Sequence, residues 1–466
     1  MYKKILNWYQ ILQILVPIDR YLNNNGIHKA YKLLKSFYKG SKILVFNKNL
    51  KAGYWSVPLA WEVIEAKLKS PNGKIIADYF RNPIEVWSNS CSFVGKIKKK
   101  GLIKHLNFDK RRPNETLFHY RNQFRENVGE WGFSLPYNKV KKLPEGNYHV
   151  SLKTKLQKKN MLCAYYKKRG DIKDTLLLAS HFDHPYQAND GIVGSIAAFE
   201  VIKRLPKKTK LSYAALAAPE IVGSVFFASK YSKKENIKNA IMTSFSAVKS
   251  NMVYARSASK NNFIDKVFSH VLNFRKKSRI VDFRGIIGAD EIAFDNVAVN
   301  VPCGSFYRWP HKNYHSSKDD ITNVDKKSFQ ETCDIFQELI YILENNSLFF
   351  SKFKVLPKLS HPKLNLYIAP RVWKDSTEDE EYKTLFKYIK NKDMKRACVK
   401  AAANINVLQS LISASADGRI SIFDLAERCK MPFIFVNEYI KMWEKKNLIK
   451  RKWINPFKIN QNNDQI

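Results

Sequence analysis

The spacing of apolar residues divides the chain into stretches of different period. Near the start, Ile5, Trp8, Ile11, Leu12 and Leu15 recur at three- and four-residue steps. That is the stripe of a helix turning one face to a core, and residues 1 to about 45 read as helical. From Trp55 to Leu68 the pattern changes to alternation, rich in aromatic and branched side chains, and Asn72-Gly73 marks a tight hairpin before Ile75, Ile76 and Tyr79. Ile84 to Val94 reads as a further strand. Leu143-Pro144-Glu145-Gly146-Asn147 reads as a turn leading into the strand Tyr148 to Leu152. This block has the character of a small β-rich module.

From about 155 to 346, strand-like and helix-like stretches alternate, as in an α/β layered sheet. Thr175 to Ser180 is a short unbroken apolar run, expected of a strand buried on both faces. A helix follows over Ile192 to Leu205, a second buried strand over Leu211 to Ala218, and a helix from Ser224 to Tyr231. Asn296 to Val301 is a third strand candidate. Phe329, Cys333, Phe336, Leu339, Ile340 and Leu343 form one stripe of a closing helix. Pro357, Pro362 and Pro370 stand among lysines in a linker-like stretch, followed by an acidic run from Asp375 to Glu381. Beyond it, Val407, Leu408 and Leu411 share a helix. Ser421 caps a helix through Cys429, and Pro432 opens a longer one. Leu448-Ile449-Lys450 and Lys452-Trp453-Ile454 are expected to pair as a short wing, so this end reads as a winged helix-turn-helix.

The chain of 466 residues is 45% hydrophobic and 13% aromatic, too apolar for a disordered protein. With 17 glycines and 17 prolines it is neither collagen-like nor low-complexity. Lysine and arginine number 81 against 41 acids, a net charge of +40. Such an excess favours an anionic partner, such as nucleic acid, a membrane surface or an acidic substrate; a lysine-rich genome explains it equally well. The six cysteines are scattered without a CxxC pair, which points to neither a disulfide scaffold nor a cysteine zinc site. The apolar run Ile11 to Ile18 is too short for a membrane span and lacks a small-residue cleavage site, so the expected location is cytoplasmic.

The densest chemistry is Ser180-His181-Phe182-Asp183-His184-Pro185-Tyr186-Gln187-Ala188-Asn189-Asp190-Gly191, between a buried strand and a helix. Ligands gather at the carboxyl ends of strands in such sheets, and imidazoles with carboxylates suit zinc. Asp183, two residues beyond His181, is placed to accept that imidazole's other N–H. Asp190 also reads as a plain helix cap. The second strand ends at Ala218-Pro219-Glu220-Ile221-Val222-Gly223-Ser224, where Glu220 either enters the same crevice or only serves the next helix dipole. A third cluster holds Asp290 and Glu291, then Arg308, His311 and Tyr314-His315-Ser316-Ser317-Lys318-Asp319. Each piece alone has a bland reading, and a solvated loop explains His311.

The order His-x-Asp, Ala-Asn-Asp-Gly, Pro-Glu-x-x-Gly-Ser, Tyr-His-Ser-Ser-x-Asp resembles the zinc-dependent aminopeptidases. It is closest to a bacterial aminopeptidase-like subgroup with an inserted small β domain and a C-terminal winged helix. Trp61-Glu62, Trp131-Gly132-Phe133, Pro144-Glu145-Gly146, Gly223-Ser224 and Asp290-Glu291 extend the likeness over nearly the whole chain. The resemblance implies an α/β mixed sheet flanked by helices. It divides the chain into N-terminal helices of the catalytic domain at 1–48, the inserted module at 49–152, a catalytic core at 153–350, a linker at 351–375 and the winged helix at 376–460. It implies one or two zinc ions on His181, Asp190, Glu220 and His315, with Asp183, Glu220 and Glu291 in catalysis and Asp290, Arg308 and His184 toward substrate. Two departures stand out. Only one glutamate, Glu220, occupies the place of the usual pair, and Thr243 to Val248 lacks the further aspartate ligand, for which His184 is the substitute at hand.

The implied reaction is hydrolysis of an amide in a small peptide or an N-acyl or aminoacyl conjugate by metal-activated water. The subgroup's association with surface-polysaccharide synthesis keeps amino-sugar conjugates in view, and a homo-oligomer is compatible with it. Two readings of other classes stand beside the enzyme: a metal-poor binding scaffold and a nucleic-acid-binding regulator. Against the regulator, Glu438 and Glu444 sit on the exposed face of the expected recognition helix, where they repel phosphate.

Overall fold

The apolar run beginning at Thr175 becomes the strand Thr175–His181, buried at every position, because its neighbours on both sides are also strands. In the computed structural model, residues 7–124, 129–260, 262–369 and 392–461 are described. The chain forms two units: residues 1–258 with 282–333, and residues 259–281 with 334–466.

In the first unit the strands of the main sheet run in the order Lys42–Phe46, Met161–Lys168, Ser212–Ala218, Thr175–His181, Ile237–Thr243, Cys303–Trp309, Asn251–Ala255. The four from Ser212–Ala218 to Cys303–Trp309 are parallel, and the flanking strands pair antiparallel to them. Leu177 faces Ala214 and Ala240 across this sheet, and Leu178 faces Ala215 and Ile241. Burying each such leucine contributes about 1.5–3 kcal/mol. Helix Ile192–Lys203 is apolar on every face and buried from Ile192 through Ile202, as expected of a helix enclosed by other elements. Gly194 lets it approach the sheet, since a Cβ there would lie 2.3 Å from the Thr243 carbonyl oxygen.

The N-terminal stripe forms helix Trp8–Leu15, with Ile11, Leu12 and Leu15 buried and Asn7 closing a capping box with Gln10. A second helix, Asn25–Phe37, follows, but the segment ends in the edge strand Lys42–Phe46 rather than in more helix. The β-rich module is a four-stranded antiparallel sheet in the order Ile75–Asp78, Ala60–Lys69, Asn147–Gln157, Phe93–Lys98. It has its own core around Trp61, Leu68, Ile84, Phe133 and Tyr148, and it groups with the first unit. Two strand expectations are corrected. Ile84 to Val94 is mostly a 3₁₀ turn at Pro83–Glu85 and loop, because Asn82 caps it and Pro83 removes a ladder donor. Asn296 to Val301 is a loop wound around the Asn296 side chain, which accepts from the Ala298 and Val299 N–H groups; the strand begins at Cys303.

In the second unit, strands Asp417–Ser421, Ser347–Ser351 and Ile449–Trp453 form a sheet beside helices Ile405–Ser415, Ile422–Cys429 and Phe433–Lys445. Ser421 caps its helix in a reciprocal box with Asp424, as its spacing predicts. The expected wing does not form: Ile449–Trp453 is one continuous strand that pairs with Ser347–Ser351 instead of folding on itself. Val407, Leu408 and Leu411 share helix Ile405–Ser415 as expected; Leu408 and Ile412 take core positions and Val407 is 48% exposed. The acidic run at 375–381 and the end of the linker lie outside the described residues.

Candidate metal centre

Parallel strands deliver their carboxyl ends to one edge, so residues distant in number meet there. His181 ends Thr175–His181, and Asp183 and His184 follow it. Glu220 follows the end of Ser212–Ala218, and His315 lies in the loop after Cys303–Trp309. Asp190 precedes helix Ile192–Lys203 at Gly191, whose φ of 112° is open to glycine. A Cβ on Gly191 would stand 2.8 Å from the His181 ring carbon Cδ2.

Asp190 is the hub. Its Oδ1 lies 3.1 Å from His181 Nε2, and its Oδ2 lies 3.3 Å from His184 Nδ1 and 2.9 Å from His315 Nε2. The other nitrogen of His184 lies 3.3 Å from Glu220 Oε2. Asp190 is held from behind, because Asp319 accepts from the Asn189 N–H at 2.9 Å and the Asp190 N–H at 2.8 Å. His311, expected on a solvated loop, is 5% exposed with its Nε2 3.4 Å from Asp319 Oδ1. Asp183 accepts from the Glu220 N–H and Asp290 from the Ile221 N–H, fixing the turn that carries Glu220. Ile221 there has φ 57°, an outlier for a branched residue; His184, Tyr186, Phe245 and His315 are also left-handed. Such strained positions collect at functional sites.

The charges are strongly coupled. Burial opposes a proton on His181, but the Asp190 and Asp290 carboxylates beside it outweigh that and raise its pKa to about 10. Burial likewise opposes charging His184, and Asp190 and Glu220 reverse the outcome, raising its pKa. Burial alone would raise the Asp190 pKa; His184, His315 and His181 instead hold it well below the usual range. Glu220 is lowered despite burial, chiefly through His184. Asp183 goes the other way, to about 6, because burial and Glu220 prevail over the histidines.

His181, His184 and Asp190 each offer a buried ligand atom, all within 4.8 Å of one another. Nδ1 of His181, Nδ1 of His184 and Oδ2 of Asp190 are buried and meet only ion-pair contacts that lack hydrogen-bond geometry. Buried polar atoms are ordinarily satisfied, so two imidazoles around a carboxylate with spare acceptor and donor atoms fit a divalent cation of the zinc type.

The expected residues separate into two groups. His181, Asp190, Glu220 and His315 are brought together, and His184 joins them as a donor rather than lying on the substrate side. Asp183 does not orient His181. Asp290 faces that ring instead, with Oδ2 3.6 Å from Nδ1, and is itself fully buried. Glu291 is 1% exposed, accepts from the Ala289 N–H and faces Arg284. Arg308 donates to Glu331 at 2.7 Å and to Thr332, so its fork is occupied within the fold. Where the further aspartate ligand is missing, Phe245 donates its N–H to the Asn189 carbonyl at 3.2 Å, and its ring is buried.

Sequence reasoning missed two contributors from the β-rich module. Phe118 donates its N–H to the His315 carbonyl at 2.9 Å, and its ring lies 5.2 Å from His184 and 5.6 Å from His315. Tyr120 stands 4.8 Å from His315, edge to face. The stretch between Asn107 and Phe133 has no period that would mark these rings.

A Clostridium acetobutylicum protein is 27% identical over 356 residues, covering 74% of this chain and 79% of its own; it is provisionally described as a polysaccharide biosynthesis protein with an aminopeptidase-like domain. A crystal structure from the same organism, provisionally described as a peptidase, superposes with a TM-score of 0.77 at 24% identity over 96% of each chain. A zinc aminopeptidase from Bacillus subtilis superposes with a TM-score of 0.53 at 13% identity, over 73% of this chain and 96% of its own. The mixed sheet flanked by helices is therefore the aminopeptidase-like fold. Residues 9–346 match the profile of the family described as a domain of unknown function, DUF4910, and the chain, aminopeptidase-like in fold, belongs to that family.

Proposed function

We propose that the chain is a zinc-dependent hydrolase of the aminopeptidase type, cleaving an amide in a small peptide or an N-acyl or aminoacyl conjugate. The observation that carries this is the convergence of His181, His184 and Asp190 within 4.8 Å, with His315 on the same Asp190 carboxylate. His181, His184, Asp190 and His315 would hold the ion. When bound, zinc supplies Lewis-acid activation of water and polarises a carbonyl.

The chain's own residues do the rest. Asp319 and Gly191 set the position of Asp190, and Asp290 faces the His181 Nδ1 that must keep its orientation. Glu220 is the carboxylate placed to take up the proton. Its side chain is 17% exposed, where Asp190 and His181 are 2% exposed, and its lowered pKa leaves it ionised at neutral pH. A carboxylate so placed accepts a proton from the attacking water and returns it to the leaving amine. Phe118 and Tyr120 shield one side of the site from water.

The test is zinc quantification beside a screen of aminoacyl and N-acyl substrates on wild type, Asp190→Ala and Glu220→Gln. The expected result is bound zinc and hydrolysis in wild type. Asp190→Ala should lose both; Glu220→Gln should keep most of its zinc while its rate falls about 100-fold or more. Hydrolysis that persists in Asp190→Ala would overturn the mechanism.

A further inference from the structure

Arg20 lies far from the site in sequence and is wholly buried, yet among the described residues no carboxylate makes an ion pair with its guanidinium. Its donors go to backbone carbonyls on two sides. On one side Nη1 reaches the carbonyls of Leu15, Val16 and Ile18 at 2.6, 3.0 and 3.0 Å, at and just beyond the carboxyl end of helix Trp8–Leu15. A cation there suits the negative end of the helix dipole. On the other side Nε reaches Phe182 at 3.1 Å, and Nη2 reaches His184 at 2.8 Å and Gln187 at 2.9 Å. The second set spans the loop that carries His184.

That loop needs holding. His184 and Tyr186 have φ of 73° and 60°, conformations that persist in non-glycine residues only where the surroundings impose them. Three carbonyls of the loop are gripped by one planar group whose five N–H donors point in fixed directions. A lysine has the charge but not the fork.

We propose that Arg20 is a positioning residue for the metal centre: it clamps the 182–187 loop to the end of the N-terminal helix, so that His184 meets Asp190 before any ion arrives. This rests on the zinc reading above and adds that the loop is set by the protein rather than by the ion. Partners behind a ligand typically change metal affinity 10- to 100-fold, and Arg20 should act in that range.

The experiment measures zinc affinity by chelator competition, and the absorption spectrum of the cobalt(II)-substituted protein, in wild type, Arg20→Lys and Arg20→Gln. Both variants should bind zinc about 10-fold or more weakly, with altered cobalt bands. A role confined to folding would lower Tm and leave both readouts unchanged in the folded variant. Arg20→Lys with wild-type circular dichroism, zinc affinity within about twofold of wild type and the same cobalt spectrum overturns the proposal. Wild type that takes up no zinc overturns the hydrolase reading, and this inference with it. Should both variants fail to fold, hydrogen exchange on wild type decides. After zinc is stripped, the amides of 182–188 should stay protected to within a few-fold of the zinc-bound protein. Exchange there at the rate of an unstructured peptide contradicts a loop set by Arg20.

Discussion

Two imidazoles that face the same buried carboxylate repel each other if both are protonated, and Asp190 between His181 and His184 is what makes the arrangement stable. At this scale the most demanding residue is Gly191. Any side chain there meets the His181 ring and is strained at φ 112°. Gly191→Ala should weaken zinc affinity about 10-fold or more and lower Tm, read by chelator competition and calorimetry. Unchanged affinity would show that His181 is not a ligand.

A second residue-scale prediction concerns acid stability. His119 stacks on Trp87 with ring centroids 4.1 Å apart, and burial, helped by Arg121, pushes its pKa from 6.5 down to about 4. The folded protein keeps it neutral while the unfolded chain takes a proton below about pH 6.5. Its contribution is therefore complete above pH 6.5 and declines as pH falls toward 4. Replacing His119 with phenylalanine should flatten the denaturation midpoint across that window, followed by urea unfolding at several pH values. An identical slope in the variant contradicts it.

At the scale of elements, the strands and the helices are held by different means. Leu177 lies fully buried in a central strand, and Leu177→Ala should cost about 2–5 kcal/mol, measured by denaturant unfolding. Ser421 serves a helix end through its box with Asp424, and Ser421→Ala should cost about 1 kcal/mol, visible as a small drop in Tm. A loss for Ser421→Ala as large as that for Leu177→Ala would mean the cap carries more than its hydrogen bonds.

These elements also explain what was legible beforehand. Thr175–His181, Ser212–Ala218, Ile192–Lys203 and the capped helix at Ile422 announced themselves by apolar runs or a cap. The strand Ile449–Trp453 was seen as two halves because its partner, Ser347–Ser351, lies about a hundred residues earlier, and pairing at that distance leaves no local trace. The loop at Asn296 mimics a strand by its valines, while its polar side chain decides the conformation.

For the whole molecule, the sheet edge reads well from sequence because the candidate donors follow strand ends in a fixed order. His181, Asp190, Glu220 and His315, singled out in the sequence, meet there. Roles were less legible than positions. Asp183 and Asp290 exchange places as the neighbour of His181, Glu291 and Arg308 turn inward to other partners, and Arg20 and Phe118 reach the site from distant segments. Those depend on three-dimensional closure that no spacing encodes. The net charge of +40 belongs to this scale too, and it concerns partners rather than the reaction. Among the described residues, no helix is long and apolar enough to cross a membrane.

The most direct measurement is elemental analysis of the purified chain after exhaustive dialysis, on wild type, His184→Gln and Asp190→Ala. Wild type should retain about one zinc per chain, His184→Gln a small fraction of that, and Asp190→Ala none. Wild type that emerges without zinc, or Asp190→Ala that keeps as much as wild type, would contradict a cation held between these side chains.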